Sequence, residues 1–203
     1  MTASPRKLNT YEVRGDVALI TLNGSKARET GAIAIVDACD VERVIEAASW
    51  HLLDSGGYAS GYVRSDRRPR SLHRFILVPA DALHVDHING DKLDNRRANL
   101  RACTNAENQR NRGSRGVVSA FKGAHRNERG RWRAEIKSGG SRLHLGIYDT
   151  DREAALAYDI AARALHRDFA RLNLPNVAPP PELASAVNAR IERRLAQTGG
   201  HSG

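Results

Sequence analysis

The sequence predicts an α+β chain: a β-rich N-terminal segment leading into a strand–loop–strand–helix unit, then a three-stranded antiparallel sheet packed on one helix. Three observations carry this. Short runs that alternate apolar and polar residues are interleaved with a few runs at helical spacing. Two Thr-x-x-Glu boxes, Thr104 with Glu107 and Thr150 with Glu153, each mark a helix start directly after a strand-like run. Between the two units, residues 113–120 are small, polar and without periodicity, as a linker should be. The expected boundaries are 11–112 for the first domain, 113–120 for the linker, 121–175 for the second domain and 176–203 for a tail.

Taken in order, Tyr11 to Leu22 is β-rich and turns at Arg14-Gly15-Asp16. Asn23-Gly24 signals a further turn, and Ala32 to Asp37 another strand. Asp40 to Trp50 places Val41, Val44, Ile45 and Ala48 at helical spacing, with Asp40 as the expected cap. Gly56-Gly57 turns the chain into a strand flanked by Tyr58 and Tyr62. Arg64 to Arg74 is basic and contains Pro69, which reads as a loop or hairpin tip, and Leu72 to Val78 starts a helix or short strand. In the tail, Pro179, Pro180 and Pro181 end the second domain, and Leu183, Val187, Ile191 and Leu195 suggest a short amphipathic helix.

Composition narrows the function classes. The formal net charge is +9 and the pI is about 10.1. Between Arg96 and Arg142 there are thirteen Lys or Arg against three acids, Glu107, Glu128 and Glu135, a footprint suited to a polyanion such as nucleic acid. Cys39 and Cys103 are far apart and form no CxxC knuckle, which argues against a disulfide scaffold and a structural zinc site and for small buried residues in a reducing compartment. No run of eighteen apolar residues and no apolar signal core follow the N-terminus, so a soluble, cytoplasmic protein with no membrane partner is expected.

The chemistry concentrates in LHVDHINGDKLDNRRANLRACTNAENQRNR, Leu83 to Arg112. Leu83 to Ile88 reads as a strand ending at the Asn89-Gly90 turn. Asn99 to Ala102 is a second short strand, and the first capping box opens a helix carrying Asn108 and Arg112 on one face. Phosphodiester hydrolysis needs an activated water and stabilisation of charge on the phosphate and the departing oxygen. A neutral His suits the first task, and a hard cation held by a carboxylate and an amide oxygen suits the second. Asp86 and His87 are adjacent, so in a regular strand they point to opposite faces. A local distortion, or a metal and substrate spanning the strand end, would have to reconcile them. His73 reads either as a phosphate contact or support for the site, or as a packed structural histidine.

These residues resemble the HNH (ββα-metal) endonucleases, particularly the phage-type homing branch. The matching string is Val85-Asp86-His87-Ile88-Asn89-Gly90, Leu93-Asp94-Asn95, Asn99-Leu100-Arg101 and Glu107-Asn108-Gln109-Arg110-Asn111, with Leu72-His73-Arg74 upstream. The resemblance implies that Asp86 and Asn108 bind the metal, that His87 is the base and that Asn99 orients His87. Mg²⁺ is the implied cofactor, with Mn²⁺ able to serve. His73, Arg74, Arg101 and Arg112 are the expected DNA contacts of this half.

In the second half, Trp132 to Lys137 and Arg142 to Tyr148 alternate as half-buried strands around Ser138-Gly139-Gly140-Ser141. The second capping box then opens a helix to about Arg167, with Ala154, Tyr158, Ala161 and Leu165 as its apolar stripe. A sheet backed by a helix can lay its open face in a DNA major groove. The string resembles the APETALA-type, or ethylene-response-factor, DNA-binding domain through Lys122-Gly123, Gly130 to Ile136, Leu145-Gly146, Tyr148-Asp149-Thr150, Glu153-Ala154-Ala155, Ala157-Tyr158-Asp159, Ala161-Ala162 and Leu172-Asn173. Departures fall on the reading face: His125 and Asn127 stand where that family usually has arginines, and Arg129 and His144 replace its tryptophans. Arg126, Arg131, Arg133, Lys137, Arg142 and His144 are the expected DNA contacts, and no target sequence is transferred. The expected partner is double-stranded DNA rather than a small-molecule substrate. The expected activity is endonucleolytic; the alternative is a non-catalytic DNA-binding regulator that retains the HNH scaffold.

Overall fold

The computed structural model describes residues 8–111 and 120–199. The chain forms two compact units that part between Asn108 and Gln109. Arg112 and residues 113–119 of the expected linker lie outside the described residues.

The first unit opens with an antiparallel sheet of β1 (Tyr11–Arg14), β2 (Val17–Thr21) and β3 (Ile33–Asp37), in that order. Ala18, Ile20, Ala34 and Val36 line its buried face, as strand alternation dictates. The helix α1 (Ser25–Thr30) intervenes where the sequence showed only a turn; it is six residues long and Gly24 makes no side-chain cap bond. The expected helix after Asp40 is α2 (Val41–Ala47). Asp40 does not cap it: the carboxylate accepts instead from Arg97 at 2.7 and 2.9 Å and from Arg43 at 2.8 Å. Trp50 is fully buried, its indole N–H donating to the Val44 carbonyl at 2.7 Å. Asn9 brackets the same residue by accepting from its backbone N–H and donating to its carbonyl, each at 2.7 Å.

A second sheet orders β4 (His51–Leu52), β5 (Ala59–Val63) and β6 (Arg68–Ser71). The expected loop around Pro69 is therefore partly a strand. Pro69 pairs with Tyr62 on an edge strand, where the missing N–H interrupts no inner ladder. The chain continues directly into α3 (Leu72–Leu77), which buries Leu72, His73 and Ile76. β7 (His84–His87) then pairs antiparallel with β8 (Leu100–Cys103), and α4 (Asn105–Asn111) follows. Thr104 and Glu107 form the expected reciprocal cap: the Thr104 hydroxyl accepts from the Glu107 N–H at 3.3 Å, and the carboxylate accepts from the Thr104 N–H at 2.8 Å.

The second unit is a sheet of β9 (Ala124–Arg126), β10 (Trp132–Ser138) and β11 (Ser141–Tyr148), with β10 central, packed on α5 (Asp151–His166). Its core joins Ala134, Ile136 and Leu145 to Ala154, Ala157, Tyr158 and Ala161. The alanines of α5 let the helix lie close against the strands. At the tail, α6 (Pro181–Gly199) is nineteen residues long and belongs to this core: Val187 is fully buried and Ile191 nearly so. Burying two such side chains contributes about 1.5–3 kcal/mol each. Of the two cysteines, Cys103 is buried as expected, but Cys39 is exposed, since it sits in the single-turn segment between β3 and α2.

Candidate nuclease site and DNA-facing sheet

The strand–loop–strand–helix motif takes its shape from its own polar side chains. Gly90, in a left-handed conformation with φ of 80°, turns the chain so that its N–H reaches the His87 carbonyl at 2.9 Å. Asn89 and Asn99 then clasp each other across the loop. Asn99 Oδ1 accepts from the Asn89 N–H, and Asn99 Nδ2 donates to Asn89 Oδ1, both at 3.0 Å. A third bond, from Asn99 Nδ2 to the Asp94 carbonyl at 2.7 Å, ties down the far side of the loop. The residue expected to orient His87 thus bonds to the loop around it, and another asparagine meets the ring: Asn95 Oδ1 lies 3.4 Å from His87 Nε2.

His87 and Asp86 are both buried and, as strand alternation requires, engage different partners. The His87 ring sits 5.0 Å from that of His73, edge-on, and 6.0 Å from that of Tyr58. Burial pushes its pKa below the ordinary histidine range, against the opposing pull of Asn95 and of Asp86, Asp91 and Asp94, so the ring is neutral at neutral pH. A neutral imidazole is the form able to accept a proton. Asp86 pairs with Arg101, directly across the ladder: Nε and the terminal nitrogen donate to one carboxylate oxygen at 3.0 and 2.7 Å.

Several expected DNA contacts are occupied within the fold. His73 is nine per cent exposed, its Nε2 3.2 Å from the Ser71 hydroxyl, and burial with the nearby charges of His87 and Arg74 lowers its pKa to about 3. Of the readings open for it, the packed histidine beside the site matches this placement. Arg74 donates to the Leu83 carbonyl at 2.9 Å, and Arg101 is turned to Asp86. Sequence reasoning assigned no role to Asn95, Tyr58 or Lys92. Lys92 donates to the Gly56 carbonyl at 2.6 Å with its ammonium 4.9 Å from the ring of Tyr58, which also packs against His73 at 5.1 Å. The signal for Asn95 was its place in the Leu93-Asp94-Asn95 string; nothing local pointed to Tyr58.

Among the described residues, no group of three or more His, Cys, Asp or Glu is arranged to hold a metal ion. The donors implied by the family resemblance are the Asp86 carboxylate near the end of β7, which is turned to Arg101, and the half-buried Asn108 amide in α4. Both offer hard oxygens, and the nearby Cys103 thiol is pushed up in pKa by burial and so stays protonated. That donor chemistry fits a hard divalent cation that keeps several waters, and a cation there would share Asp86 with Arg101.

In the second unit, strand pairing settles which side chains share a face. Arg133 stands opposite Ile147 and His125, Glu135 opposite His144, and Lys137 opposite Arg142. A bulge between Ala134 and Glu135 lets Leu145 and Gly146 both turn inward while His144 and Ile147 stay exposed. Arg133, Lys137, Arg142 and His144 are therefore gathered on the face opposite α5. Arg126 and Arg131 join Arg133 and Arg129 around a shallow cleft at one end of the sheet. Arg131 there forms an ion pair with Asp149 at 2.9 Å, and Arg133 one with Glu135 at 3.2 Å. Arg129 is an addition to the expected set; the sequence marked it only as a departure from a tryptophan.

A strand pair closed by an asparagine clasp, with Asp-His near its end and a capped helix following it, is the arrangement expected of a nuclease unit, and a basic sheet on a helix that of a DNA-binding unit. Comparison with known proteins agrees for each. Residues 78–110 match the HNH endonuclease family profile and residues 119–167 match the AP2 domain profile. An uncharacterized HNH endonuclease of Acanthamoeba polyphaga mimivirus is 30% identical over 164 residues, covering 77% of this chain and 81% of the relative. Dehydration-responsive element-binding proteins 2D and 2C of Arabidopsis thaliana are 49% identical over 69 residues and 45% identical over 62. Those matches cover 32% and 30% of this chain but only 34% and 18% of the plant proteins. The chain belongs to the HNH endonucleases and carries an AP2 domain. It carries an HNH nuclease domain and an AP2 DNA-binding domain, and HNH nucleases generally use divalent metal ions. Among the described residues, no helix is long and apolar enough to cross a membrane.

Proposed function

We propose that the first unit hydrolyses one strand of double-stranded DNA per site, while the AP2 sheet face grips the duplex and places it. The observation that carries this reading is the buried His87 ring, met by the Asn95 amide and the His73 ring, on the same strand as Asp86. His87 takes the proton from a water as its oxygen attacks the phosphorus; the bond from phosphorus to the 3′ oxygen breaks, and that oxygen is protonated from solvent. Asp86 and Asn108 would hold Mg²⁺, or Mn²⁺ in its place, which when bound supplies positive charge to the phosphate and the leaving oxygen. Tyr58 and His73 pack side by side against the imidazole, and the Asn89–Asn99 clasp ties the loop beside it.

In the second unit Arg126, Arg129, Arg131, Arg133, Lys137, Arg142 and His144 supply contacts to phosphates and base edges. Their share of the affinity falls with rising salt as counterions are no longer released. The test is supercoiled plasmid incubated with the full chain and Mg²⁺, beside EDTA and His87→Ala controls. Nicking that disappears in both controls is the expected result. Binding without cutting, in Mg²⁺ and in Mn²⁺ and on several DNA sources, would replace this reading with that of a DNA-binding regulator on an HNH scaffold.

A further inference from the structure

Asn95 is one per cent exposed and is anchored to the first sheet, its backbone N–H donating to the Ile35 carbonyl at 2.7 Å. Its side-chain Nδ2 donates to the Leu93 carbonyl at 2.9 Å. That bond decides which way the amide faces. A backbone carbonyl can only accept, so the nitrogen must point at Leu93 and Oδ1 must point at His87. Oδ1 can itself only accept, and the nitrogen it meets is Nε2, at 3.4 Å, toward the long end of hydrogen-bonding distance. With the proton on Nδ1 instead, two lone pairs would oppose each other in a buried setting, which is costly.

We infer that Asn95 is the positioning residue of the site, holding His87 in the tautomer with hydrogen on Nε2 and so making Nδ1 the nitrogen that receives the proton from water. The second half of this statement rests on the nuclease reading above; the first does not. Asn95 is not a catalytic residue, since it acts only through His87. Two features make the assignment firm. The Asn95 amide cannot turn over without losing its bond to Leu93. The His87 ring packs against the His73 ring at 5.0 Å and the Tyr58 ring at 6.0 Å, which lie 5.1 Å from each other. Asn99, whose three side-chain bonds go to Asn89 and Asp94, holds the loop in which Asn95 sits.

The test reads the tautomer directly. The full chain, labelled with ¹⁵N in its histidine rings and free of metal, is studied by long-range proton–nitrogen NMR near neutral pH. His87 is identified by its loss in His87→Ala. The expected result is the Nε2–H pattern in the wild-type chain and a shift to the Nδ1–H form or a mixture in Asn95→Leu. Single-turnover nicking by Asn95→Leu should fall roughly ten- to a hundredfold, with DNA affinity in EDTA unchanged within about twofold. A wild-type His87 in the Nδ1–H form overturns the inference whether or not the variant folds, and so does an Asn95→Leu chain that keeps both tautomer and rate. Failure of the wild-type chain to nick DNA at all would instead sink the nuclease reading, and it shows in a separate experiment.

Discussion

His73→Gln turns the burial of His73 into a measurable pH dependence. The ring is nine per cent exposed, and burial together with His87 and Arg74 holds its pKa down at about 3, against an ordinary value of 6.5. The folded chain therefore keeps His73 neutral while the unfolded chain protonates it. The unfolded state binds more protons as the medium turns acidic, so stability falls with falling pH. Its contribution is complete above pH 6.5 and is lost progressively down to about 3. At about pH 4.5 the unfolded residue is almost wholly protonated and the folded one hardly at all, which costs about 3 kcal/mol relative to neutral pH. A glutamine in its place does not titrate. The variant loses ring packing at every pH, so the quantity to compare is the change between pH values and not the absolute stability. Denaturant unfolding, followed by Trp50 fluorescence in a Trp132→Phe background, reports on the first unit alone, since the two tryptophans lie in different units. Wild type should lose about 3 kcal/mol more than His73→Gln between about pH 7.5 and 4.5. Acid effects at Asp40 and Asp94 occur in both chains and cancel in the difference. Equal losses in the two chains would show that His73 is not held neutral by its surroundings.

Two further perturbations probe the two units separately. Arg101→Met leaves the buried Asp86 without its guanidinium, which should cost the first unit on the order of 3 kcal/mol in EDTA. Mg²⁺ should return part of that loss and raise the melting temperature of the variant more than that of wild type; no greater shift would argue against a metal at Asp86. Gly123→Ala combines a φ of +76° with a Cβ that would overlap the Tyr158 ring and stand 2.6 Å from the Glu135 carbonyl oxygen. Left-handed strain and overpacking together should cost the second unit about 3 kcal/mol. Thermal unfolding measures it, and a melting point matching wild type would show that the ring can move aside.

Much of both units was legible because it is written in short-range chemistry. The capping boxes at Thr104 and Thr150, the Asn89-Gly90 turn, the Ser138–Ser141 hairpin and the alternation of β10 and β11 each need only neighbours within a few residues. Such features depend on backbone geometry that any context would respect. The ordered Asp86, His87, Asn99 and Asn108 string likewise survives as sequence, and it named the family from residues alone.

What the sequence could not decide is where long side chains end up once distant segments meet. Asp40 looked like a helix cap, yet two arginines, one of them 57 residues away, compete for its carboxylate and win. Arg101 was expected at DNA and His73 either at DNA or packed in the fold; the structure turns Arg101 to Asp86 and buries His73 against His87. The helix α6 read as a tail because an amphipathic stripe does not say which surface will cover it; only the assembled sheet and α5 do. The same holds for Asn95. By sequence it is one asparagine in a polar loop, and its meeting with His87 exists only because β3 anchors its backbone while the Leu93 carbonyl turns its amide. By itself the sequence determined most of the elements, the family and the set of reactive groups. The tertiary structure decided which of those groups are already paired and which way each one faces, because that depends on contacts between residues far apart in the chain.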